Sequence, residues 1–263
     1  MLQTKPIGLF DSGVGGTSIW KEIHALLPYE NTLYLADSKH APYGMKSEDE
    51  IIALSIKNTE FLIKSKCKMI VVACNTATTN AISILREKFD VPIIGIEPAI
   101  KPAAMQTKTG SIGILATKGT LSSALFHKAA AEFTKDISVV EIIGEGLVPL
   151  IEDGKLNTPE LTELLFKYTE PMVAASVDYL VLGCSHYPYL IPKLLTILPD
   201  NITIIDSGAA VARQTKSLLE KNDLLNISES KPKLEFLTNS DTGTLSQLLE
   251  EYKANFTIRL GDF

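Results

Sequence analysis

MIVVACNTAT at residues 69–78 and YLVLGCSHYP at residues 179–188 decide the architecture of this chain. Each opens with an unbroken apolar run that does not alternate with polar residues. That pattern predicts a strand covered on both faces, as in a parallel sheet with helices on either side. Each run stops at a cysteine followed by small polar groups, Cys74-Asn75-Thr76 and Cys184-Ser185-His186. A second pair of stretches repeats the theme upstream, IGLFDSGVGGT at 7–17 and IGILATKGTLS at 112–122. A third echo, IIDSGAA at 204–210, reads as a strand returning the chain to the first half.

Outward from these stretches, short apolar runs alternate with helical segments. Strands are expected at Ile7–Phe10, Thr32–Ala36, Met69–Cys74, Ile93–Gly95, Ser111–Ala116, Ser138–Ile142, Tyr179–Gly183, Thr203–Asp206 and Leu234–Thr238. Helices are expected at Thr17–Leu27, Ser47–Ser65, Thr76–Lys88, Thr120–Thr134, Thr158–Ala175 and Ala209–Lys221. The alternation predicts an α/β fold with parallel sheets. The internal echo predicts two similar lobes related by a pseudo-twofold axis. Residues 1–97 with 207–263 would form the first lobe and 98–206 the second, with a crossing near Glu97–Pro102. Asn226–Lys233 is polar and reads as a loop. Ligands of parallel sheets bind beyond the carboxyl ends of strands. Asp11-Ser12, Cys74-Asn75-Thr76, Thr117 through Thr120 and Cys184-Ser185-His186 all fall at such ends, so a site between the lobes would receive one cysteine from each side.

Composition narrows the function. The chain has 263 residues, 25 basic and 31 acidic, for a net charge of −6. Only Arg86, Arg213 and Arg259 are arginines, and no basic run occurs, which argues against a nucleic-acid or anionic-membrane partner. No apolar run approaches the ~20 residues of a spanning helix, and MLQTKPIGLFDSG lacks the form of a signal peptide, so a cytoplasmic setting is expected. The three cysteines show no C-x-x-C or zinc-ligand spacing, so they read as reduced thiols with no metal. The glycines of DSGVGG do not match G-x-G-x-x-G, and nucleotide binding is set aside.

Cys74 and Cys184 are the central pair. Inverting a carbon by proton transfer requires one base on each face, one deprotonated and one protonated at the start. A thiol of pKa ~8.5 suits both roles once a helix start or a neighbouring charge lowers it. A buried cysteine is more often plain core, but two at equivalent points of similar halves favour chemistry. Cys67 has no counterpart and reads as structural. His186 either assists a thiolate or is a hydrogen-bonded structural group. Asp11 either tunes Cys74 and meets a substrate ammonium, or caps the following turn. Glu152, in LIEDGKL, reads from the residues alone as a surface carboxylate. Ser12, Asn75, Thr76, Ser185, Thr117 and Thr120 supply hydroxyls, amides and helix-start N–H groups that hold anions without a cation. Pro42-Tyr43-Gly44 reads as a loop closing over the site.

Taken together, IGLFDSGVGGT, APYG, VVACNTATT, IGILATKGT, GEGLVPLIE, LVLGCSHYP and IIDSGAAVA resemble the glutamate racemases of bacterial cell-wall synthesis along the whole chain. The resemblance implies a two-lobed α/β fold with the site between lobes, no pyridoxal phosphate or other cofactor, and Cys74 and Cys184 as the proton-transfer pair. It implies further catalytic roles for Asp11, His186 and Glu152. Glutamate contacts are implied at Asp11, Ser12, Tyr43, Gly44, Asn75, Thr76, Thr117, Thr120, Ser185 and His186. A homodimer is the expected assembly. Two features depart from the family pattern: Ser185 stands where threonine is usual, and DSKHAPYG differs before PYG, leaving His40 as a loop residue. Relatives that racemise aspartate usually carry glutamate at the His186 position, and related decarboxylases keep one of the cysteines. The rival expectations are an aspartate or other amino-acid racemase, a hydrolase or decarboxylase with a single nucleophilic thiol, and a non-catalytic amino-acid-binding module.

Overall fold

The computed structural model describes residues 2–252 and 256–263. Ten strands are described: β1 Ile7–Asp11, β2 Thr32–Ala36, β3 Met69–Val72, β4 Ile93–Gly95, β5 Ser111–Ala116, β6 Ser138–Ile143, β7 Tyr179–Gly183, β8 Thr203–Ile205, β9 Leu234–Thr238 and β10 Phe256–Leu260. They form two sheets, ordered β10-β9-β2-β1-β3-β4 and β6-β5-β7-β8, and every pairing is parallel. The order β2-β1-β3-β4 in the first sheet matches β6-β5-β7-β8 in the second. The sequence echo therefore has a structural counterpart, with β1 and β5, and likewise β3 and β7, at equivalent positions.

The central strands are apolar throughout because both faces are covered. Ile7, Leu9, Met69 and Val71 point into one cluster, and Phe10, Ile70 and Val72 into another. The first of these clusters continues through Leu147, Ile151, Leu180 and Leu182, so one apolar core runs beneath both sheets. Register aligns the strand ends at the site. Phe10 pairs with Val72 and Ala116 with Gly183, so Asp11 ends near Cys74 and Thr117 near Cys184.

Three expectations need correction. The strand at 203–205 stays in the second sheet, paired with β7; the return to the first sheet is made by the helix Gly208–Lys221 that follows it. The helix expected at Thr120–Thr134 is two helices, Lys118–Leu121 and Ala124–Phe133. Ser123 breaks it, because its Oγ accepts the Phe126 N–H at 3.3 Å and starts a new helix. The edge strand β10 was not expected; it is short, largely exposed and lies against β9 alone.

Candidate active site

Cys74 occupies the cap position of the helix Asn75–Lys88, where its Sγ accepts the Ala77 N–H at 3.4 Å. A cysteine in this position is set by the strand-to-helix turn itself: β3 delivers it, and the helix fixes its sulfur. Cys184 leaves β7 at the equivalent point of the second sheet, with its sulfur 3.7 Å from His186 Nδ1. Both cysteines line one small, tightly closed cavity, together with Ser12, Tyr43, Gly44, Asn75, Thr76, Thr117, Ser185 and His186. Asn75 is 2% exposed, and neither its Oδ1 nor its Nδ2 has a partner in the protein. An unpaired buried amide is costly, so this group is arranged for a polar ligand.

Three expected residues stand behind the cavity wall instead of lining it. Asp11 is fully buried, and its Oδ2 accepts the N–H groups of Gly13 and Gly16 at 3.2 and 3.0 Å. Its Oδ1 accepts the Ser185 hydroxyl at 3.0 Å, a bond between the lobes. Thr120 lies 3.2 Å from Thr76 Oγ1 and 3.1 Å from Thr117 Oγ1, which are themselves 2.8 Å apart. Glu152 is the last residue of the helix Leu147–Glu152, and its Oε1 accepts from His186 Nε2 at 2.5 Å and from the Val14 N–H at 2.7 Å. The Tyr43 hydroxyl donates to Asp37, so only the rest of that side chain is free to face a ligand. Cys67 is buried against Gly8 of β1 and does not line the cavity, and burial pushes its thiol up to about 12. His40 ends a short 3-10 helix, Ser38–His40, 2.6 Å from Asp37 Oδ1.

The electrostatics differ from the expected lowering of Cys74 by its helix. Burial pushes the Cys74 thiol well above its ordinary value, and the Asp11 carboxylate pushes it the same way. The Ala77 and Ser12 N–H groups pull down, but two hydrogen bonds do not offset full desolvation. Asp11 is raised too, by burial, against the pull of His186. For His186 burial acts downward, yet the bonds to Cys184 and Glu152 and the Asp11 charge outweigh it and raise the ring well above the usual histidine range.

Several members of this network gave no signal in the sequence. Ser38 donates to Glu152 Oε2 at 2.8 Å, and Ser18 donates to the Ser185 carbonyl at 2.7 Å. Asp37 does carry a signal: it follows β2 directly, at the same kind of strand end as the other site residues.

Two similar parallel-sheet lobes each bring a strand-end cysteine to one cavity, an architecture shared with solved amino-acid racemases. Residues 14–215 match the family described as Asp/Glu/hydantoin racemase, and the chain belongs to that family of isomerases. It is 43% identical over 247 residues to a glutamate racemase of Herpetosiphon aurantiacus, covering 94% of this chain and 97% of that one. It superposes on a glutamate racemase isoform of Bacillus anthracis with TM-score 0.86 and 30% identity, over 99% and 98% of the two chains. It likewise matches Escherichia coli glutamate racemase, solved with L-glutamate and the activator UDP-MurNAc-Ala, at TM-score 0.84 and 35% identity over 97% of each chain. No described helix is long and apolar enough to cross a membrane.

Proposed function

We propose that this chain interconverts L-glutamate and D-glutamate without a cofactor, using Cys74 and Cys184 as the two proton-transfer groups. The observation that carries the reading is that both thiols, one from each lobe, line a single cavity that also holds the unpartnered Asn75 amide. One sulfur takes the Cα proton, and the opposite sulfur protonates the other face. Cys74 rests as the thiol, since burial and Asp11 both disfavour its anion. The charged His186 ring offers a thiolate on Cys184 its counter-charge.

A placed acid or base contributes ~10²–10⁴-fold, and exclusion of water with fixed donors supplies the rest. Ser12, Asn75, Thr76, Thr117 and Ser185 hold the substrate's carboxylates and ammonium through hydroxyls, amides and N–H groups at helix starts. Thr120 positions Thr76 and Thr117, and Tyr43 with Gly44 covers the ligand. Asp11 acts on the Cys74 side, and His186 with Glu152 on the Cys184 side. The same reading divides the chain into lobes 1–97 with 207–263 and 98–206. It also includes a homodimer in the cytoplasm, with D-glutamate passing to peptidoglycan synthesis. His186, where aspartate-acting relatives usually carry glutamate, supports glutamate over aspartate.

The test is incubation of the purified protein, free of pyridoxal phosphate, with L-glutamate, L-aspartate or L-alanine in D₂O. Deuterium at Cα of glutamate with loss of optical rotation is expected, and Cys74→Ala and Cys184→Ala each abolish turnover of both enantiomers. Ligand binding with no Cα exchange, or a covalent half-reaction surviving in one cysteine variant, would overturn the assignment.

A further inference from the structure

Glutamate at neutral pH carries one net negative charge, and the chain itself carries −6. The two repel at long range, so a local cation is needed to offset that repulsion where the substrate enters. Apart from His186, no cationic side chain lines the substrate cavity. The cavity is closed, and beside it lies an open, mostly apolar pocket of about 560 Å³. Pro42, Gly44, Thr117 and Val148 line both spaces, so they form the partition between this mouth and the cavity. Around the mouth stand one base, Lys118, and one acid, Glu145. Lys118 directly follows Thr117, whose hydroxyl meets Thr76 at the cavity wall. Its side chain is exposed and makes no ion pair with a described residue. Nor does its place at the start of the helix Lys118–Leu121 stabilise it, because a helix start favours acids. Folding therefore gives no reason for a charge at this point.

We propose that Lys118 is the cation that captures glutamate at the mouth of the site and delivers a carboxylate to the partition at Thr117, an inference that rests on the glutamate reading above and adds a binding residue to it. An ammonium on a flexible four-carbon stem can follow an anion from solvent to the cavity wall. The apolar walls of the mouth strengthen its attraction relative to an open surface. Glu145 acts in the opposite sense on the same rim, since its charge repels the incoming anion. Lys118 works on capture and not on the Cα proton, so its loss raises KM and leaves kcat in place. The two enantiomers have equal free energy, so kcat/KM changes by the same factor in both directions.

The experiment measures kcat and KM for both enantiomers from about 10 mM to about 1 M ionic strength, over which the screening length falls from ~30 to ~3 Å. Wild type is compared with Lys118→Met, Lys118→Glu, Lys118→Arg and Glu145→Gln. Lys5→Met is the control: it removes the same charge from a separate groove that shares no residue with the mouth. At low salt, Lys118→Met should lower kcat/KM roughly three- to fivefold, through KM, and Lys118→Glu roughly tenfold or more. Lys118→Arg and Lys5→Met should stay near wild type, and Glu145→Gln should raise kcat/KM. All these differences should close at high salt. A Lys118→Met variant equal to wild type at low salt, an equal loss in Lys5→Met, a fall in Glu145→Gln, or a loss of kcat that persists at high salt overturns the capture role. A wild type that racemises glutamate while Lys118→Met matches it overturns Lys118 alone. A wild type that neither binds glutamate by calorimetry nor exchanges deuterium at Cα overturns the functional reading and Lys118 with it.

Discussion

A methyl group on Gly15 would lie 2.2 Å from His186 Nδ1, and one on Gly13 would lie 2.0 Å from Glu152 Oε1. The glycines of DSGVGG are therefore there to let a ring and a carboxylate from the other lobe lie against the loop. Their role is close approach, not phosphate binding. The approach sets the charge on His186. Because its folded-state pKa is raised above the unfolded value of ~6.5, its protonation stabilises the fold fully below that value. The contribution is lost as pH rises through the folded-state pKa. Denaturant midpoints of wild type and His186→Gln should differ most at pH 6, and the gap should shrink as the pH is raised into the alkaline range. A gap that does not change with pH would mean the ring is held neutral. The residue types at Cys74, Cys184, Asp11 and His186 were legible, because each sits where an apolar run gives way to a polar group. The raised state of Cys74 was not legible, because desolvation depends on everything packed around the sulfur.

Elements were legible wherever local patterning and burial agree. β2, β4, β5, β7 and β9 have the expected bounds, because their apolar runs are cut off cleanly by polar or turn residues. The expected Met69–Cys74 strand ends at Val72 because Cys74 is already the helix cap. The helix expected at Thr120–Thr134 failed for a related reason: apolar periodicity continues through Ser122-Ser123, but a serine can cap as readily as it can continue. Ser123 Oγ also donates to the Thr120 carbonyl at 2.8 Å, so it closes one helix and opens the next. Ser123→Ala should cost about 1 kcal/mol, a fall in melting temperature of roughly 2–4 °C for a chain of this size. Differential scanning calorimetry would read it. An unchanged or raised melting temperature would mean that the break is imposed by packing and not by the cap.

At the scale of the molecule, the start of the chain is tied to the segment that follows the helix Gly208–Lys221. Lys68 is buried and donates to Glu30, to the Gln3 carbonyl at 2.6 Å and to the Leu224 carbonyl at 2.9 Å. Glu30 in turn accepts the Asn226 N–H at 2.8 Å. One ion pair thus holds the first residues, the turn before β2 and the segment leading back to β9. Lys68→Met leaves the Glu30 charge buried without its partner and should cost ~3–5 kcal/mol. Adding Glu30→Gln should recover part of it, because the uncompensated charge is then gone. Urea denaturation of both variants checks this, and a double variant no more stable than the single would disprove the pairing.

The sequence alone determined the parallel α/β class, the doubled arrangement and the strand-end residues, because burial on both faces and the abrupt close of each apolar run are written locally. Only the tertiary structure decided which groups act on one another. Glu152 meets His186, Ser185 meets Asp11, and Ser38 meets Glu152 across 34, 174 and 114 residues of chain. The first is made within the second lobe and the other two between the lobes, and all three exist only once distant segments pack together, so no local pattern of residues could have announced them.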